Sequence, residues 1–333
     1  MLVSPDVVTV NEWLNDLSLT QDSRYNRRYV VRLFEEANHA SIVQILADMK
    51  ADKLTPYQAS KRFMDYLKKR APYTRYVYRS MLFGLLVAVL GEDNVRKSVF
   101  DRLVTYETPY VSRTKKSPSP DNVRSMLSMA NPLYRALIGL LACTGMRIGE
   151  ALSRKTSDIE TRPDGHARIV LRASETKARK LRYVFATKED VDWIDAYRKS
   201  VGATSEWLFP GDKNGHLRYN GVHEPIKNLF RKAGLLDAPD KSFIYSAHSL
   251  RTFADTQMGR AGLDRKWIEL VIGHSNSLAA SASYKDWDAI EEEWVKTCAA
   301  KMCFAEQKKE IERLQSHNGK LEALLEKLLE KLT

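Results

Sequence analysis

Thr144-Gly145-Met146-Arg147-Ile148-Gly149-Glu150-Ala151-Leu152 is the stretch whose reading decides how this chain folds. Upstream of it, Pro132 to Cys143 is apolar on most sides, which predicts a core helix with Cys143 as a packing residue. Gly145 breaks that helix and a new one starts at about Met146. Arg147 therefore stands near a helix N-terminus, where unpaired N–H groups and the helix dipole favour an anion. Glu150, three residues on, is spaced to pair with Arg147 or to orient it.

Further along, His248-Ser249-Leu250-Arg251 puts a histidine and an arginine on one face of a helix, with Ser246 as its cap and Gly262 as its stop. His274 follows the apolar run Trp267 to Ile272 and a helix-ending Gly273, and Tyr284 is the only tyrosine after it. Taken singly these are ordinary: His248 with Arg251 reads as a buried hydrogen-bonded pair, and Tyr284 as a half-buried aromatic.

The surrounding chain reads as mainly α with a small antiparallel β-sheet. From Thr9 to about Leu103 the apolar spacing is helical, in segments such as Val10 to Leu17, Ser23 to Glu36, Ala40 to Met49, Pro56 to Arg70 and Tyr73 to Leu90. Residues 1–105 thus form an all-helical domain. Its cations Arg24, Arg27, Arg28, Lys68, Lys69, Arg75 and Arg79 are interleaved with tyrosines, and several share a helix face that suits backbone phosphates. Residues 106–120 hold three prolines and a basic stretch and read as a linker. Ser119 and Pro120 then cap and open a helix, beginning a second domain over 121–296. Within it Pro163-Asp164-Gly165 is a turn, while Ala167 to Ala173 and Arg179 to Ala186 are strands. From Lys188 to Trp287 the pattern returns to helices, broken by a loop from Phe209 to Gly215.

Residues 297–333 end in a heptad seam, Ile311, Leu314, Asn318, Leu321, Leu325, Leu328 and Leu332, that predicts a C-terminal coiled-coil helix, with Asn318 at an a position that favours a parallel dimer. Leu324 and Leu329 flank that seam and allow a higher oligomer; the competing arrangement is an amphipathic helix folded back on its own domain.

The 333 residues fit two domains, and a formal charge of +11 fits a polyanionic partner, nucleic acid before membrane. Three cysteines, Cys143, Cys298 and Cys303, make neither a disulfide framework nor a zinc spacing, which points to a reducing cytoplasmic, intracellular setting. No leader and no membrane-spanning run are evident, so the expectation is a soluble, unprocessed protein.

Thr-Gly-Met-Arg-Ile-Gly-Glu, His-x-x-Arg, Gly-His and a trailing tyrosine, in this order, resemble the tyrosine recombinase or phage integrase family, from about Ser119 to Trp287. The resemblance implies a catalytic set of Arg147, Lys177, His248, Arg251, His274 and the nucleophile Tyr284, with Glu150 in support. Lys177 sits in the turn between the last two strands, where the family carries its lysine, and Lys180 is the alternative. It implies transesterification on double-stranded DNA attachment sites, with neither a metal nor a cofactor, by an enzyme that assembles as a tetramer. The helical first domain would be the DNA clamp. An integrase of a mobile element is the expected role, beside a chromosome-dimer or plasmid resolvase, a hairpin telomere resolvase, a type IB topoisomerase, or a silent DNA-binding protein of the same fold. One departure stands out: His274 and Tyr284 are ten residues apart, one more than the family pattern, which on a helix turns a side chain by ~100° unless Ser275-Asn276-Ser277 absorbs it. Val271-Ile272 also stand where leucine is usual.

Overall fold

A computed structural model of the chain describes residues 5–19, 21–105, 116–176, 179–212, 215–235, 245–273 and 286–304. The chain divides into two compact units, Met1–Ser112 and Arg113–Thr333, and the division falls inside the proline-rich 106–120 stretch. The heptad seam from Ile311 onward lies outside the described residues.

The first unit is built from helices α1 (Pro5–Leu14), α2 (Gln21–Asn38), α3 (Ile42–Lys50), α4 (Pro56–Tyr66), α5 (Pro72–Leu90) and α6 (Lys97–Leu103). Its core gathers Val30, Phe34, Ile45, Phe63, Leu82, Leu86 and Phe100, with Phe34 and Phe63 meeting edge to face at 5.8 Å. The helix expected to run from Pro56 to Arg70 stops at Tyr66, with Leu67 as its C-cap. Its start is as the sequence demands: Thr55 accepts from the Gln58 N–H at 3.1 Å, Gln58 returns the bond, and Pro56 fills a first-turn position that needs no donor.

The same device opens the second unit. Ser119 and Asn122 form a capping box around Pro120 for α7 (Pro120–Met129), and Asn131 caps α8 (Pro132–Thr144) with Pro132 at its first turn. Every residue of α8 from Ala136 to Thr144 is buried, which makes it the central rod of this unit. Gly145 ends it in the left-handed conformation at φ 65°. The next helix, α9 (Ile148–Leu152), begins two residues later than expected, because the Glu150 carboxylate takes the Arg147 N–H at 2.8 Å and fixes Arg147 as the N-cap. Strands β1 (Ile159–Thr161), β2 (Ala167–Leu171) and β3 (Arg182–Ala186) form an antiparallel sheet in that order, with Ala167 opposite Ala186 and Leu171 opposite Arg182. The third strand is three residues shorter than its apolar pattern, since Arg179 sits at φ 50° in the left-handed region.

Helices α10 (Lys188–Ser200), α11 (Tyr219–Lys232), α12 (Ala247–Ala261), α13 (Arg265–Ile272) and α14 (Trp287–Trp294) complete the unit, followed by a π-helical turn, Val295–Ala299, and a last short turn, Ala300–Met302. Helices α10 and α12 pack on α8, and β3 lies against it. Gly262 and Gly273 end α12 and α13 in left-handed geometry, at φ 99° and 78°. Cys143 is buried, and burial raises its thiol well above the ordinary range, which fits a packing residue. No described helix is long and apolar enough to cross a membrane.

Asp190 is the exception within this core. Its Oδ2 accepts the Thr187 N–H at 3.1 Å and the Thr187 hydroxyl at 2.7 Å, while Oδ1 has no hydrogen-bond partner among the described residues. Burial pushes its carboxyl from 3.8 up to about 6. A carboxyl raised in the folded state favours folding while protonated, so its contribution is complete below about pH 4 and is lost as pH rises through about 6. Asp190→Asn keeps the acceptor for Thr187 and removes the titration. Its denaturant midpoint is expected to exceed that of the wild type at pH 8, with the difference disappearing near pH 4; parallel curves across that range would reject a protonated Asp190.

Candidate active site

Four charged side chains from three elements, Arg147 and Glu150 of α9, Arg182 of β3 and Arg251 of α12, converge beside the α8–α9 junction. Arg147 at the N-cap of α9 donates from Nη1 to Glu150 Oε1 at 3.1 Å, and its side chain is about a third exposed. Glu150 is buried, and Arg182, which opens β3, reaches it from the other side, with Nη2 to Oε2 at 2.7 Å and Nη1 to Oε1 at 3.3 Å. Each oxygen of Glu150 therefore accepts one bond from Arg147 and one from Arg182. Burial alone would raise the Glu150 carboxyl; the hydrogen bonds and charge of Arg182, with those of Arg147, outweigh it and hold the group below its ordinary value.

Arg251 projects from α12 and is only 3% exposed. Its Nη1 donates to the Gly145 carbonyl at 2.7 Å, the turn residue between α8 and α9. Its Nη2 is buried with no hydrogen-bond partner among the described residues. Burial, and then the charges of Arg147 and Arg182, lower the guanidinium to about 10. Three arginines and one carboxylate leave two net positive charges around the Arg251 Nη2 donor, an arrangement that favours an anion. The α9 helix is only five residues long, so its dipole adds little and the arginines themselves carry the field.

His248 is exposed in the first turn of α12, one turn before Arg251, as the i, i+3 spacing requires. Ser246 is the N-cap of that helix, its N–H held by Ser249 Oγ at 3.2 Å. Lys177, His274 and Tyr284 lie outside the described residues. What flanks them is described. Thr176, before Lys177, is buried and its hydroxyl bonds both the N–H and the carbonyl of Lys180 at 3.1 and 3.0 Å. Lys180 itself is exposed. Gly273, before His274, lies flush on Arg182: a Cβ there would come within 2.8 Å of the Arg182 Nε. Trp287, three residues after Tyr284, meets the Tyr183 ring at 5.3 Å.

Two arginines of this network were not singled out from the sequence. Arg182 is one; an arginine on the inward face of an alternating strand was the available signal. Arg154 is the other, wholly buried, with Nε on the Glu150 carbonyl at 2.9 Å and Nη1 on Glu175 at 2.8 Å, so it ties α9 to the stretch leading into Lys177.

In the first unit, Arg28, Lys68 and Lys69 are exposed and Arg24, Arg27 and Arg75 half-buried. Arg28 reaches Asn15 at 2.6 Å, Lys68 pairs with Asp65 at 3.0 Å, and Arg27 stacks 4.3 Å over Trp13. Tyr25, Tyr73 and Tyr76 face outward rather than packing inward. Arg79 departs from its expected role as a phosphate contact. It is buried, with Nε on the Val104 carbonyl at 2.7 Å and Nη2 on Phe100 O at 3.2 Å and Asp101 at 2.8 Å, so its donors serve the end of α6.

The model of the phage integrase family matches residues 118–289. The chain belongs to the phage integrase family, the tyrosine recombinases, enzymes that cut and rejoin DNA. The Sinorhizobium fredii protein y4qK, which carries a provisional integrase/recombinase name, is 29% identical over 242 residues, 71% of this chain and 72% of the relative. Tyrosine recombinase XerA of Thermococcus kodakarensis is 27% identical over 222 residues, 65% of this chain and 72% of its own. The Tn1549 transposon integrase, solved with a circular intermediate DNA, superposes with a TM-score of 0.60 at 16% identity, over 87% of this chain and 98% of that one, a likeness of fold.

Replacing Arg251 by methionine separates the two demands on it. The change removes a buried guanidinium opposed by Arg147 and Arg182 but also the donor to the Gly145 carbonyl, so the DNA-free protein is expected to change by less than about 2 kcal/mol in chemical denaturation. Strand cleavage should fall at least about 100-fold. A loss of several kcal/mol instead would mean that the Arg251 charge is already compensated in the free protein.

Proposed function

We propose that this chain is a site-specific integrase that moves a mobile element by cutting and rejoining two DNA duplexes through a Holliday junction. The observation that carries the proposal is the buried, unpartnered Nη2 of Arg251 beside Arg147, since two planar guanidiniums suit the two non-bridging oxygens of one phosphate. Tyr284 attacks the scissile phosphorus; the bond to the 5′ oxygen breaks, and the 3′ phosphate stays on the tyrosine. Free tyrosine titrates near pH 10, so the proton must be taken up, and His248 is the base within this set. Lys177 gives a proton to the leaving 5′ oxygen, and His274 donates to the phosphate. Arg147 and Arg251 hold the charge that grows in the pentacoordinate state, where each such donor contributes about 10²–10³ in rate. The bond energy is kept in the phosphotyrosine, so rejoining reverses the same steps.

The helical first unit is the DNA clamp of this proposal, with Arg24, Arg27, Arg28, Lys68, Lys69 and Arg75 toward the backbone. Four copies act together on two attachment sites, and the heptad seam from Ile311 to Leu332 supplies self-association. A second assignment has its own support: relatives include tyrosine recombinases XerA of Thermococcus kodakarensis and XerD of Rhizobium meliloti, which favours resolution of chromosome or plasmid dimers.

The test incubates wild type and Tyr284→Phe, without added metal, with a pool of supercoiled plasmids carrying genomic inserts, quenches with detergent and sequences DNA that is covalently attached to protein. The expected result is an adduct at one site class in the wild type and none in Tyr284→Phe. An adduct that persists in Tyr284→Phe removes Tyr284 as the nucleophile, and bound DNA with no adduct makes the chain a silent binding protein.

A further inference from the structure

We infer that Arg182 is a positioning residue for strand cleavage: it holds Arg147 in a phosphate-facing pose through Glu150 and at the same time sets the point from which the segment bearing His274 and Tyr284 departs. This rests on the roles proposed above for Arg147, His274 and Tyr284.

The first half follows from how Glu150 is shared. A buried carboxylate has about four acceptor positions. With Arg147 as its sole partner it would draw that guanidinium into a closed two-pronged pair and cancel its charge. Arg182 occupies one position on each oxygen, at 3.3 and 2.7 Å, so Arg147 is left with one side-chain bond, Nη1 to Oε1, and a main-chain bond, N to Oε2. Among the described residues the rest of the Arg147 guanidinium is uncommitted, and its side chain is 31% exposed. The charge count points the same way. Without Arg182, Glu150 cancels Arg147 and one positive charge remains; with it, two remain to meet a phosphorane.

The second half follows from the other edge of the same guanidinium. Arg182 Nε donates to the Val271 carbonyl at 3.0 Å, in the last turn of α13. Gly273 then crosses the guanidinium so closely that a methyl group would lie 2.8–2.9 Å from Nε, Cδ and Cζ. That spacing is shorter than any ordinary carbon contact, so Gly273 is required both for its left-handed φ of 78° and for its missing side chain. One buried side chain, 4% exposed, therefore touches the partner of the phosphate-binding arginine on one side and the residue before His274 on the other. A bare stabilising role is a poor account of it, since a buried ion pair is weak as a source of stability compared with apolar packing.

The experiment measures single-turnover adduct formation by the full chain on a nicked duplex carrying the site recovered from the plasmid pool, with Arg182→Gln, Arg182→Lys and Gly273→Ala beside the wild type. Rate at saturating DNA and the half-saturating DNA concentration are read separately, with a melting curve for each protein. Displacing a reacting group by about 1 Å costs on the order of 10²-fold. The expected result is a loss of that size in the saturating rate for all three variants, with half-saturation little changed. Arg182→Lys should melt closer to wild type than Arg182→Gln yet fail to recover the rate, because one ammonium cannot span both Glu150 oxygens and the Val271 carbonyl. A wild-type rate in Arg182→Lys, or melting losses with the saturating rate intact, would overturn the inference and leave Arg182 as a structural ion pair. Tyr284→Phe and Arg147→Ala run alongside: an adduct in Tyr284→Phe, or a wild-type rate in Arg147→Ala, overturns the underlying assignment of the site, whatever Arg182 does.

Discussion

Everything in the second unit is arranged around the difficulty of bringing Arg147, Arg182 and Arg251 together with a single carboxylate between them. Like charges at this range repel, and at low dielectric the repulsion is not screened. Glu150 relieves it where Arg147 and Arg182 meet, with four hydrogen bonds to its two oxygens. Arg251 bonds the Gly145 carbonyl instead, and burial first, then the charges of Arg147 and Arg182, lowers its proton affinity. That concentration of positive charge is borne beside a large apolar core to which α8, α10 and α12 contribute.

The buried rod α8 sets the geometry of this arrangement. Its C-cap Gly145 gives Arg251 a carbonyl and leads directly to Arg147, so the two phosphate-binding candidates are registered to one turn. Gly145 is also packed so closely that a Cβ would lie 3.3 Å from Ala254 on α12 and Ile272 on α13. Arg154 extends the same network to Glu175, and through it to the stretch that leads into Lys177. Glu150, Arg182 and Arg154, expensive to bury, are here buried in a connected chain, each with partners, which is the condition under which a polar network specifies one arrangement.

Much of this could be read from the residues because the responsible physics is local. Left-handed glycines at 145, 262 and 273, and proline behind a Ser or Asn cap at 120 and 132, act over one turn of chain and leave a signature there. The place of Arg147 at a helix N-terminus and the one-turn spacing of His248 and Arg251 were likewise legible, since both are set by local chain geometry. Arg182 and Arg154 were not, because a cation in a strand or beside a short helix gains its meaning from partners 32 and 21 residues away. Arg79 misled for the same reason: in sequence it follows Tyr73, Arg75 and Tyr76, while its hydrogen bonds are to the end of α6. Asp190 looks like any first-turn acid, and only the packing of α10 on α8 makes it a buried one.

Strand β3 has one more property. Its adjacent residues Arg182 and Tyr183 meet Gly273 and Trp287, the residues near the two ends of the stretch that carries His274 and Tyr284, while Arg168 on β2, with Arg162 and His166, gathers around Glu291 and binds α14 to the sheet. Strand β3 thus touches the described residues on either side of that stretch, so a displacement of this one strand would shift both at once.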